Sequence, residues 1–245
     1  MKKIILPLLL LSSIAHAGME SCLTTRQAPC LVELEKLHPT QLTLGKISLP
    51  EKIKKLEKNY KKGKLEERLT KKAIPAVLGP DLLFYIQDGH HEIASLELSQ
   101  KIPLEAKIAV ISQLEDKSNL SPKAFKQYML KSEKVFLLDE NFKIAKFEDI
   151  PRRFINMKDN PYRSFAWLVK ENGGFCKVSV NYLEFIWGKF FKDILEERNI
   201  ILNSDPDLLN SYLEIGIKIA QSDSAKQLPG FKESNSQCTE ESDDL

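Results

Sequence analysis

Histidine is scarce in this 245-residue chain: there are four in all, three of them beyond residue 17. No apolar stretch after residue 17 approaches the ~20 residues needed to cross a bilayer, which argues against a retained helical anchor. An excess of one charge is also missing. The formal net charge is +2, and it falls to zero once Lys2 and Lys3 are set aside. A dedicated nucleic-acid binder would be basic overall, so bulk charge speaks against that class. The four cysteines lack the close Cys–Cys or Cys–His spacing of zinc sites. There is no internal repeat, and no break in composition forces a domain boundary.

The chain opens with MKKIILPLLLLSSIAHA, a short basic head, an apolar stretch and small residues at Ala15 and Ala17. This pattern predicts a secretory signal peptide over residues 1–17, cut near Ala17, and a periplasmic or secreted protein. About 228 residues then remain, enough for one large domain or two small ones. All four cysteines enter an oxidising compartment, where disulfides are the default. Three pairings are available; the favoured one joins Cys22 to Cys30 as a local loop and Cys176 to Cys238 as a clasp on the tail. Between Glu51 and Lys72 stand ten Lys or Arg and four Glu, whereas the tail after Phe231 holds five acids and one Lys. These read as a solvated helix face and a disordered tail, with a basic patch as the alternative.

The expected order is a stapled lead-in over 18–30, an α+β domain over 31–150, a helical part over 151–222 packed on it, and an acidic, mostly disordered tail over 223–245. Leu31, Leu34 and Leu37 repeat at a helical interval, and a short strand follows in HPTQLTLGKI. Helix resumes after Pro50, breaks at Gly63 and continues through Leu65–Leu69. Ile74–Leu78 and Leu83–Ile86 flank Gly79-Pro80-Asp81 and read as a hairpin. A helix carries Ile93, Leu96 and Leu98, and Lys107–Leu114 is a further strand. Ser121-Pro122 starts another helix. A second hairpin is expected over 135–145. Helices are expected at Pro161–Lys170, closed by Asn172-Gly173-Gly174, at Tyr182–Leu195, and as one element from Pro206 to Ala220.

Three polar clusters sit at Pro or Gly breaks: His38-Pro39-Thr40-Gln41, Asp88-Gly89-His90-His91-Glu92, and Asp159-Asn160-Pro161-Tyr162-Arg163-Ser164. The second lies at a strand-to-helix junction, where unpaired backbone N–H groups can meet an anion. In the third, Arg163 brings a planar fork suited to phosphate or carboxylate. Thr40, Gln41, Gly89, Arg163 and Ser164 are the candidate phosphate-binding residues; His90, His91 and Asp88 are the candidate catalytic ones. If a divalent metal is used, His91, Asp88 and Glu92 would hold it. Adjacent side chains on a helix diverge by about 100 degrees, so His90 and His91 cannot share one target on a regular helix.

The segments LHPTQLTLG, IPAVLGPDLLFYIQDGHHEIASL, VFLLDENFKIAKFEDIP and NPYRSFAWLVKENGGFCKVSVNYLEFIWGKFFKDIL resemble, in order and spacing, the ParB-like nuclease family, a bacterial branch of the ParB and sulfiredoxin superfamily. The resemblance covers about Leu31 to Leu202. It implies a small mixed sheet with helices, followed by a helical C-terminal part, and it brings a nuclease label. Pro39-Thr40-Gln41 falls where ParB proteins have a nucleotide motif. Gly89-His90-His91-Glu92 falls on the ParB Gly-Glu-Arg-Arg motif and the sulfiredoxin Gly-Cys-His-Arg motif. His91 and Glu92 replace both ParB arginines, and His90 stands at the sulfiredoxin cysteine, so neither parent chemistry transfers intact.

Three functions stay open on the sequence. One is binding of a nucleotide, nucleic acid or other anion at the DGHH junction. Another is metal-assisted phosphodiester hydrolysis with His91 as base or ligand. The last is a structural or protein-interaction role in which the imidazoles satisfy buried backbone.

Overall fold

The computed structural model describes residues 19–234 and 236–238. The expected leader and the acidic tip after Cys238 lie outside them. The fold is α+β. Ser21 caps a single turn, α1 (Cys22–Thr25), and β1 (Cys30–Glu33), β2 (Leu37–His38) and β3 (Thr43–Leu44) follow. Next come α2 (Leu49–Lys61) and α3 (Leu65–Lys71). The hairpin β4 (Ile74–Leu78) and β5 (Phe84–Ile86) leads into α4 (His90–Leu98). Then come β6 (Ile108–Asp116), α5 (Pro122–Lys131) and β7 (Lys158–Asp159). Four helices finish the chain: α6 (Pro161–Glu171), α7 (Leu183–Glu197), α8 (Pro206–Ser211) and α9 (Leu213–Ala220).

The main sheet has the order β1-β6-β4-β5-β2, and β3 pairs with β7 in a second, two-stranded parallel ladder. β1 runs antiparallel to β6, which runs parallel to β4, and β4 is antiparallel to β5. The helical interval of Leu31, Leu34 and Leu37 is overruled here. β1 matches Cys30 to Ile111 and Glu33 to Ile108 along β6, and Val32 turns into the core. Long-range pairing outweighs a local period of three residues.

The second core is helical. It gathers Phe165, Val169, Phe175, Trp187 and Phe191, all essentially without exposure. Trp187 stacks on Phe175 with centroids 4.1 Å apart. α6 and α7 approach closely at Gly188, where an added Cβ would stand 3.1 Å from the backbone of Tyr162 and Arg163.

The expected 135–145 hairpin is present in short form: Leu138 bridges Ile144 antiparallel, Asp139 N–H donates to the Lys143 carbonyl (2.9 Å) and Ala145 N–H to the Leu137 carbonyl (3.0 Å), while the Asp139 carboxylate takes the N–H groups of Asn141 and Lys143 in the turn. Two further sequence expectations change. The final helix breaks at Tyr212, and α9 is set by packing against α6 through Gly216, whose added Cβ would lie 2.5 Å from Phe165 Cζ. Residues after 222 carry more structure than their composition predicts. Trp187 Nε1–H donates to the Pro229 carbonyl (2.8 Å), and Cys176 N–H donates to Gly230 (2.7 Å). Disulfides join Cys22 to Cys30 and Cys176 to Cys238. No helix among the described residues is long and apolar enough to cross a membrane.

Candidate functional site

The three polar clusters converge on the loop that follows β2. His38 stacks on Tyr85, with ring centroids 4.5 Å apart, and its Nδ1 lies 2.7 Å from the Pro39 carbonyl. Thr40 Oγ1 donates to the Ile86 carbonyl at the end of β5 (2.6 Å). Thr40 N–H donates to His90 Nε2 (3.1 Å), so that nitrogen presents a lone pair and the ring is neutral. Burial, and then the nearby Arg163 charge, pull His90 down to about 3. Its neighbour turns elsewhere: His91 Nε2 lies 3.3 Å from Gly45 N and 3.2 Å from Gly45 O. The two imidazoles therefore diverge as helical geometry demands, yet both fasten the chain around β3 to the start of α4, His90 at Thr40 before the strand and His91 at Gly45 after it.

The chain beyond Gly45 is held by Asp159 of β7 and Ser164 of α6. Asp159 Oδ1 accepts from Lys46 N–H (2.6 Å) and from Ser164 Oγ (3.2 Å), while Ser164 Oγ accepts from Ile47 N–H (3.4 Å). Asn160 caps α6 by accepting from Arg163 N–H (2.9 Å). Gly45 leaves room for the arginine, since a Cβ there would sit 2.8 Å from Arg163 Cδ and Nη1. Gly89, at φ +78, turns the chain into α4 and lies so close to Ile74 that a Cβ would come within 2.5 Å of its Cγ2.

A cleft of about 680 Å³ opens beside this junction. Gln41, Asp88, His90, His91, Arg163, Tyr182, Glu184 and Phe185 are among the residues that line it. The Arg163 side chain is only 10% exposed, and its Nε and Nη1 have no hydrogen-bond partner in the protein. Nη2 is 3.6 Å from Glu184 Oε2, but Glu184 is held more closely by Lys170 (2.6 Å). Burial alone would raise the Glu184 carboxyl; Arg163 and Lys170 outweigh it and bring the group down to about 2. Unpaired buried donors on a cation are costly, and here they sit near a helix start with no side-chain cap.

Thr40, Gly89 and Ser164 do not line the cleft; they build the loop and turn that shape it. Glu92 is turned away, its two oxygens taken by Arg68 Nε (2.7 Å) and Nη2 (3.1 Å). That removes one member of the candidate metal set. Among the described residues no group of three or more His, Cys, Asp or Glu side chains is placed to hold a metal ion, so the donor set does not suit a divalent cation. Asp88 is exposed at the mouth. Sequence reasoning missed Tyr182, which stands at φ 60, stacks on Phe136 with centroids 4.5 Å apart and lines the cleft. It also missed the Lys170–Glu184 pair, because contacts between two helices leave no spacing signal in the chain.

Comparison with known proteins agrees with this architecture. The family model described as "Putative ParB-like nuclease" matches residues 30–193. Among solved structures, protein Atu1540 from Agrobacterium tumefaciens is similar, with a TM-score of 0.64 and 26% identity, covering 83% of this chain and 96% of that one. No curated protein matches. The matched span takes in the whole main sheet and both helix starts that frame the cleft, and the chain belongs to the ParB-like nuclease family.

Proposed function

We propose that the cleft at the Asp88-Gly89-His90-His91 junction binds a phosphate-containing or anionic ligand, a nucleotide or nucleic acid. Arg163 carries this reading: a buried guanidinium among the residues that line the cleft, beside an uncapped helix start, has two enclosed nitrogens without a protein partner and its nearest carboxylate 3.6 Å away, a charge that an anion in the cleft would balance. Gln41, His91 and Asp88 frame the ligand, while Thr40, Gly89 and Ser164 hold the loop and turn in place. Family membership supports a nucleic-acid-related role. The protein is read as exported after loss of residues 1–17 and as periplasmic or secreted, a setting that two disulfides support.

The test is a thermal-shift screen of inorganic phosphate, nucleotides and short oligonucleotides on wild type and Arg163→Met. A ligand at a hundred times its Kd stabilises the wild type by about 2.7 kcal/mol. The variant is expected to lose that response while melting at or above the wild-type temperature, because a buried cation with few partners costs the free protein stability. A wild type that no anion shifts would end this reading.

A hydrolytic use of the same cleft has one observation behind it. Burial first, then Arg163, Lys52 and His90, keep the His91 imidazole well below its ordinary range, so its free base is present at neutral pH beside the anion site. Incubation with plasmid and RNA, with and without added divalent metals, separates this from binding alone. Hydrolysis predicts cleavage that His91→Ala abolishes; intact substrate under all conditions rejects it.

A further inference from the structure

Part of the cleft is walled by chain with no secondary structure of its own. Residues 175–182 run between α6 and α7 in neither helix nor strand, and Lys177, Val178, Val180, Asn181 and Tyr182 line the cleft. Without a ladder or a helical turn, such a stretch keeps its course only through what anchors it. Val178 and Tyr182 pack on the helical core. At Cys176 the anchor is the C-terminal segment: Cys176 N–H donates to the Gly230 carbonyl (2.7 Å), and a Cβ on Gly230 would stand 2.2 Å from the Cys176 carbonyl oxygen. The Cys176–Cys238 bond then joins the two stretches across a separation of 62 residues. Between Gly230 and Cys238 the segment bonds to itself, Lys232 Nζ to the Ser236 carbonyl (2.9 Å) and Ser236 N–H to the Glu233 carbonyl (3.1 Å).

The two disulfides differ in access. Cys22 and Cys30 are both 0% exposed, whereas Cys238 is exposed and Cys176 half-buried. Exchange needs a thiolate to reach a sulfur, so a dissolved dithiol meets the second bond and not the first. We propose that Cys176–Cys238 is a redox latch on the cleft wall, opened by a dithiol while Cys22–Cys30 stays closed. The dithiol's thiolate attacks the Cys238 sulfur, Cys176 leaves as a thiolate and takes up a proton, and the second thiol of the reagent then displaces Cys238 as a thiol. The protein bond gains the two electrons that the dithiol loses. With the latch open, the wall from Lys177 to Asn181 loses order and the cleft holds its ligand less tightly. That last consequence rests on the anion-binding reading of the cleft; the ordering of the wall does not.

The full mature chain is titrated with dithiothreitol, freed thiols are alkylated and mapped by peptide mass, and amide exchange and the melting-temperature rise with inorganic phosphate are measured at each step. Cys176 and Cys238 should be alkylated at a reductant concentration about tenfold below the one that frees Cys22 and Cys30. In that state, and in Cys176→Ser/Cys238→Ser, amide exchange over residues 177–182 should quicken by about tenfold with the main sheet unchanged. The phosphate-induced rise should fall to about half or less of its oxidised size. The selectively reduced wild type decides the matter if the double variant does not fold. Both bonds opening together, or unchanged exchange over 177–182 once Cys176 and Cys238 are free, would overturn the latch. Faster exchange with an undiminished phosphate response would overturn its control of the cleft. An oxidised wild type that phosphate does not shift counts against the anion reading, and exchange in the wall still decides whether the bond orders it.

Discussion

His90 and His91 are adjacent, and their fates differ by where each ring lands. His90 is buried and its Nε2 accepts from Thr40 N–H, so protonation would set a second N–H donor against the one Thr40 already presents. Its folded value of about 3 lies below the unfolded value near 6.5. As pH falls, the unfolded chain takes up this proton first, so the contribution to stability is complete above about pH 6.5 and is lost progressively toward pH 3. The full swing is on the order of 4–5 kcal/mol. Urea unfolding at pH 7 and pH 4.5 should show a loss of a few kcal/mol in wild type and a clearly smaller one in His90→Gln, whose amide oxygen can still accept from Thr40; equal losses would remove the assignment. At this scale the sequence could mark the scarce histidines, Gln41 and Arg163 as candidates because few residue types suit a polar break. It could not show that Glu92, offered as a ligand only if a metal is used, is held by Arg68, 24 residues earlier.

Among elements, the junction before α4 depends on one backbone conformation. Gly89 at φ +78 places the helix start against β4, and a side chain there meets both the left-handed penalty and Ile74. Gly89→Ala is expected to cost about 1–3 kcal/mol by chemical denaturation and to weaken ligand-induced stabilisation by displacing the first turn. A variant as stable and as responsive as wild type would show that the turn has slack. Helices with local punctuation were legible: Ser121 before Pro122 and Asn160 before Pro161 both accept from the backbone three residues on. β1 was not, since its partner β6 lies more than seventy residues away and the leucine spacing pointed to helix. The break at Tyr212 was hidden for a similar reason, because it answers to α6 and not to its own sequence.

For the molecule as a whole, the α+β class was legible from strand and helix patterns interleaved up to residue 150 and helices alone expected after it, whereas the tail's attachment to Trp187 was not. The first disulfide has a bearing on solubility. β1 is the outer strand of the main sheet, and β2 at the opposite border is two residues long. On its outward side β1 is met by Ser21, which bridges Leu31, and Leu31 N–H donates to the Glu20 carbonyl (2.9 Å). The Cys22–Cys30 bond holds that cover in place. Cys22→Ala/Cys30→Ala should lose about 2.5 kcal/mol on the loop-entropy scale and also self-associate with rising concentration, seen by light scattering; a variant that stays monomeric at all concentrations would refute the second part. An uncovered outer strand offers its free N–H and C=O groups to another chain, so this small loop acts as a guard against strand-by-strand addition between copies of the protein.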